Sequence, residues 1–284
     1  MRKAGWVFPI LVFFQFSNIF GKQNLPVKCG TPFILSGAKH SLARPIMDRY
    51  SDTRHFRIWY SLARPNRPDT TDINPQNGIP DYVDKVKDIF EYCYSMIINT
   101  FGYLPPIPDS SCEIGRRNVG GDDRIDVYIM ELYGSYYGET VPDENLYNDP
   151  TKAPGYIIID NDYMGYGYDD RPIDALKVTA AHEFFHLAQF AYDYTEDIWW
   201  MEATAVFMEE QLYPYVNDYI AYIGDFLAHP EIPLNYANTS DNRIYGTSLF
   251  PIFLSRRFGW AIVKSIWEYC ARPGFYSMSA IRRV

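Results

Sequence analysis

The sequence predicts an α+β fold, a mixed first half followed by a mainly helical second half, and three observations carry that expectation. Residues 55–60 and 124–130 alternate apolar and polar side chains with the period of two that marks a half-buried strand, and 156–159 is a short, β-branched apolar run. From Pro172 onward the apolar spacing becomes that of a helix and stays so. With 284 residues, 47% of them hydrophobic, the chain can bury a core in one compact domain or in two lobes sharing a cleft.

Taken in order, Arg2 and Lys3 precede an apolar run over 6–16 that turns polar at Ser17 and Asn18, the pattern of a secretory signal peptide over residues 1–21 with cleavage near Gly21. The run is shorter than the roughly 20 residues a membrane span needs. Residues 22–50 read as an irregular segment, and 51–284 as the main domain. Between the first two strands, 81–103 carries Val83, Val86, Ile89, Phe90, Met96 and Ile97 at helical spacing, after Pro80 and before Gly102. Helices follow over 173–192, 199–212, 219–227, 247–258 and 261–270. Residues 277–284 read as a helix start, with Ser277 or Ser279 as cap and no helix end, the mark of a chain cut inside its last helix.

A net charge of −9, from 35 acidic and 26 basic residues with no basic stripe, argues against nucleic acid and anionic membrane surfaces as partners. Twenty-five tyrosines, many beside glycine, suit extracellular loops. Cys29, Cys93, Cys112 and Cys270 permit up to two disulfides in an exported chain, with three pairings open. No two of them form C-x-x-C, so a cysteine-based zinc site is not expected.

The chemistry concentrates in His182-Glu183-Phe184-Phe185-His186. Histidines at i and i+4 project from one helix face and can share a metal ion, while Glu183 points beside it, where a general base is needed. Zinc bound by neutral imidazoles lowers the pKa of a bound water to about 7. The bland alternative, histidines satisfied within a buried helix, needs partners for two imidazoles and a carboxylate in an apolar setting. A third ligand cannot come from a metzincin pattern, because Gln189 stands where its glycine would be and Tyr192 where its third histidine would be. Glu202, in the otherwise apolar stretch 199–207, is the best candidate. Glu209 and Glu210 lie where that helix turns polar and read as solvated surface. Asp193 either orients a histidine or simply makes a turn.

Two histidines on one helix, with a glutamate on the next that follows tryptophan and precedes small residues, resemble the gluzincin superfamily of zinc peptidases. The stretches 55–60, 77–84, 156–163, 179–186 and 199–209 are also similar to a poorly characterised family of exported bacterial metallopeptidases. The resemblance implies a zincin-like fold, with a sheet-containing lobe and a mainly helical lobe on either side of the active-site helix. It implies His182, His186 and Glu202 as ligands of Zn2+, Glu183 as general base, and a polypeptide substrate. Tyr245, in Ile244-Tyr245-Gly246, resembles the tyrosine that stabilises the oxyanion in the aminopeptidases, with a core role equally open; His229 is a weaker candidate. Two departures stand out: the gap from His186 to Glu202 is shorter than in the better-known gluzincins, and Val206 occupies a position that is acidic in some of them.

Asp72-Ile73-Asn74-Pro75-Gln76-Asn77-Gly78-Ile79-Pro80-Asp81 resembles a Ca2+-binding loop with one residue too many, so a turn capping the next helix is an equal expectation. Asp160-Asn161-Asp162 is ambiguous in the same way. The function expected is that of a secreted or periplasmic zinc metallopeptidase, without a stable membrane span after signal cleavage. Endopeptidase is slightly favoured over aminopeptidase because no glycine-and-glutamate signature for a free amine is present. The rival is a non-catalytic, zinc-stabilised extracellular binding or adhesion module, which would have no use for Glu183.

Overall fold

The computed structural model describes residues 27–37, 44–111, 120–143, 149–239 and 241–284. The expected signal peptide and Cys112 lie outside them. The architecture is α+β, built on one six-stranded sheet: β1 (Val27–Cys29), β2 (Arg49–Asp52), β3 (Phe56–Tyr60), β4 (Ile125–Met130), β5 (Tyr136–Pro142) and β6 (Gly155–Asp160). The spatial order is β1-β5-β6-β4-β3-β2. The β3–β4, β4–β6 and β1–β5 pairs are parallel, whereas β2–β3 and β5–β6 are antiparallel.

Side-chain alternation sorts the strands onto two faces. Phe56, Ile58, Val127, Ile129, Ile157 and Ile159 point into the main core, where α2 (Asp81–Tyr94) and α3 (Pro172–Asp193) supply Phe90, Phe184 and Ala180. Tyr128, Val141, Tyr156 and Ile158 face the other way, onto Ile34 of α1 (Thr31–Leu35). The apolar stripe read over 81–103 is one helix through Tyr94 that loosens to a π-helical turn over Ser95–Thr100.

The second half is helical as expected: α4 (Ile198–Leu212), α5 (Ile223–Ala228), α6 (Arg243–Gly246), α7 (Leu249–Phe258), α8 (Ala261–Cys270) and α9 (Ser277–Ile281). In α9 it is Ser279 whose hydroxyl accepts the Tyr276 N–H, at 2.9 Å; Ser277 is buried and donates to Asp197. Among the described residues no helix is long and apolar enough to cross a membrane.

Three expectations are corrected. Residues 22–50 are not merely irregular, since β1 and α1 are inserted there against β5 and the helical half. That short segment lacks a legible period because a three-residue strand is shorter than two full alternations. The strand over 136–142 went unread because Gly138, Glu139 and Thr140 interrupt its apolar pattern. Finally, Cys29, Cys93 and Cys270 are all free and buried, so no disulfide joins any two of them.

Candidate metal centre

The helix α3 is buried from Ala175 through Asp193 save for Lys177. Its packing against the sheet depends on Gly138 of β5, where a Cβ would sit 2.8 Å from Thr179 Cγ2 and 3.1 Å from Glu183 Cγ. Residues 194–197 then reverse the chain into α4. Asp193 Oδ1 accepts the Thr195 N–H at 2.8 Å and its hydroxyl at 2.7 Å, so its role is in this turn and it orients no histidine. The hairpin sets early residues of α3 beside late residues of α4, and the reverse. His182 accordingly meets Glu209, and Gln189 meets Met201 and Thr204.

Glu202 lies between the two imidazoles. Its Oε2 is 3.1 Å from His182 Nε2 and its Oε1 is 3.1 Å from His186 Nε2. Cys29 Sγ lies 3.6 Å from His186 Nε2. Together Cys29, His182, His186 and Glu202 form a fully buried group whose ligand atoms all fall within 4.8 Å of one another, and that group can hold a metal ion. The three residues the sequence marked as ligands are thus brought together. Cys29 was missed, because a single cysteine from a distant strand needs no C-x-x-C when the other donors come from two helices.

The outer nitrogens of the imidazoles are also occupied. His182 Nδ1 donates to Glu209 Oε1 at 2.7 Å, and His186 Nδ1 donates to Gln189 Oε1 at 2.7 Å. The Gln189 amide is oriented by its other end, which donates to the Met201 carbonyl at 2.9 Å and the Thr204 hydroxyl at 3.0 Å. These bonds fix the tautomer that leaves each Nε2 facing the donor cluster. Glu209 is therefore buried, not solvated surface as the polar turn of its helix suggested, whereas Glu210 is half-buried. Spacing could have found it: Glu202 and Glu209 are seven apart, two helical turns, and share one face.

Glu183 faces the sheet instead. Its Oε2 accepts the Thr140 hydroxyl at 2.8 Å and lies 3.4 Å from the Thr31 hydroxyl. Tyr245 is buried with its ring 6.4 Å from that of His182, and its hydroxyl accepts the Cys29 N–H at 3.2 Å. It lies beside the donor group, while His229 is exposed beside Glu231.

The charges in this pocket are strongly coupled. Burial pulls the His182 imidazolium down, but Glu202 and Glu209 outweigh it and hold His182 at about 10 in the metal-free protein. Burial pushes the Glu202 carboxyl up, and the two histidines reverse that to about 2. Burial dominates at Glu183 and Glu209, which both lie above the usual carboxylate range despite their hydrogen bonds. It also lifts the Cys29 thiol and the Tyr245 phenol, helped by the nearby Glu183 and Glu202.

The acidic loops behave differently. Asp72 Oδ1 and Oδ2 accept the N–H groups of Asn77 and Gly78 at 2.9 and 2.8 Å, and Asp81 Oδ1 accepts those of Ile73 and Asn74 at 3.1 Å. Asp160 likewise accepts from Asp162, Tyr163 and Leu132. These carboxylates hold turns; α2 itself starts after Pro80 with no side-chain cap, so the expected capping of that helix is not seen. No protein-family model matches the chain, and no curated protein matches it.

Proposed function

We propose that this chain is an exported zinc-dependent metallopeptidase of zincin-like arrangement, hydrolysing polypeptides with Glu183 as general base. The observation that carries the reading is the buried carboxylate of Glu183, next in sequence to one donor histidine and hydrogen-bonded to the Thr140 hydroxyl and to the Cys29 thiol beside the donor cluster. A closed structural metal site has no use for a carboxyl group beside the metal, whereas a hydrolytic site needs one as base.

His182, His186 and Glu202 would hold the ion, a nitrogen and oxygen donor set that suits zinc. Zinc in such a set polarises a carbonyl oxygen and lowers the pKa of a water to about 7. Glu183, its carboxyl raised by burial, takes a proton from the attacking water as the O–C bond forms and returns it to the amine as the C–N bond breaks. Glu209 and Gln189 hold the imidazoles in place through Nδ1. The Tyr245 phenol, raised by burial, stays protonated and can donate to the developing oxyanion. Endopeptidase action is favoured, on the absence of a sequence signature for a free amine.

The non-catalytic binding module remains as a second reading because Cys29 offers a fourth protein donor, and closed sites are structural. Long incubation of zinc-loaded wild type and Glu183→Gln with a mixed peptide library separates the two. Cleavage by wild type alone supports the peptidase; zinc in both with no cleavage by either, nor by a Cys29→Ser chain in which the fourth donor is removed, supports the module.

A further inference from the structure

One short stretch, Lys28–Thr31, contacts four of the residues the proposed chemistry uses: His186, Tyr245, Glu183 and Glu209. Cys29 Sγ is 3.6 Å from His186 Nε2, and its backbone N–H occupies the Tyr245 hydroxyl at 3.2 Å. The Thr31 hydroxyl lies 3.4 Å from Glu183 Oε2. The Lys28 ammonium pairs with Glu209 at 2.9 Å and with Asp218. Lys28, Cys29 and Thr31 are all at most 2% exposed, so this stretch is buried together with the centre it contacts.

The stretch is also shaped for that place. Among the described residues it runs as an edge strand paired with β5 alone, with Cys29 opposite Gly138 and the Gly30 N–H donating to the Gly138 carbonyl at 2.9 Å. At Gly30 a Cβ would lie 2.6 Å from Glu139 Oε2 and 2.8 Å from Glu139 Cβ, so the close approach requires glycine.

Resting on the metallopeptidase reading, we propose that β1 and the start of α1 form an intramolecular latch: Cys29 is the fourth metal donor, and the chain with this stretch seated is the latent form. Thiolate is a strong zinc ligand, and its binding closes the position that a reacting water requires. The thiol proton passes to solvent as the metal enters. Displacing the stretch frees that position, the Tyr245 hydroxyl and the Glu183 carboxyl together. The same geometry explains how a site with four protein donors can still carry a base.

The test uses the full chain, wild type and Cys29→Ser, each stripped of metal and loaded with Co2+. Near-ultraviolet absorption reports a thiolate-to-cobalt charge-transfer band, and hydrolysis of a mixed peptide library is followed in parallel. The latch predicts one cobalt per chain in both, the band in wild type only, and hydrolysis at least tenfold faster in Cys29→Ser. The band is read on wild type without any substitution, so a variant that fails to fold leaves that arm intact. Cobalt bound by wild type without a thiolate band, or equal and measurable hydrolysis by two folded proteins, would overturn the latch alone, whereas cobalt in both with hydrolysis by neither would overturn the metallopeptidase reading itself. No cobalt in either would overturn the metal reading and the latch with it.

Discussion

Two regions collect side chains of the kind that bind metals, the loop over 72–81 and the facing surfaces of α3 and α4, and the structure treats them in opposite ways. In the loop, Asp72 and Asp81 find backbone N–H groups within a few residues and spend their oxygens there. His182, His186 and Glu202 sit in helix interiors, where the neighbouring backbone N–H groups are bonded along the helix, so these side chains turn to one another and to their orienting partners. Ligand-type residues gather into a group able to hold a metal ion where local backbone partners are lacking. They make a cap where such partners abound.

The sharpest break in that comparison is functional. Replacing Glu183 by glutamine should leave bound zinc unchanged and lower the turnover number by about 10²- to 10⁴-fold, the usual worth of a general base, read by peptide hydrolysis. Next in size, Glu202→Ala removes the carboxylate shared by two buried imidazoles. Metal binding should be lost, and the metal-free protein should lose about 3 to 5 kcal/mol in denaturant unfolding. Glu209→Gln acts one bond further out, and zinc affinity measured by competition with a chelator should fall by about 10- to 100-fold.

The pH dependence has a definite sign. His182 is raised in the folded, metal-free protein, so its contribution is fully present below the ordinary value of 6.5 and is lost as pH rises through about 10. Glu202 is lowered, so its contribution holds above the ordinary 4.5 and fades as pH falls through about 2. The raised Glu183 and Glu209 contribute stability that is lost as pH rises above the ordinary 4.5. The melting temperature of the metal-free protein should therefore fall between pH 6.5 and 10, and zinc, which replaces the proton on His182, should flatten that fall. At the other end of the scale, Asp72→Ala should cost about 1 kcal/mol, as for a lost helix or turn cap, and change bound zinc not at all.

The contrast also explains what the sequence made legible. The second half could be read closely because long helices carry many turns of periodic signal; α8 was anticipated to the residue and α4 to within one. His182, His186 and Glu202 could be read because each is a polar residue in an apolar helix, where it needs a partner. Glu209 was hidden by Glu210 and Gln211 beside it, which made a buried face look like a solvated end. Cys29 was hidden for a different reason. It reaches the centre through the pairing of β1 with β5, 109 residues away at the Cys29–Gly138 register, and no local pattern encodes that contact.

The most direct test of the account removes the latch and then the base. Cys29→Ser and the double variant Cys29→Ser/Glu183→Gln would be loaded with zinc, their metal content measured by mass spectrometry, and their hydrolysis of one peptide library compared. The account predicts one zinc per chain in both and cleavage by Cys29→Ser alone. Equal cleavage by both, or cleavage by neither while each holds its zinc, would contradict it.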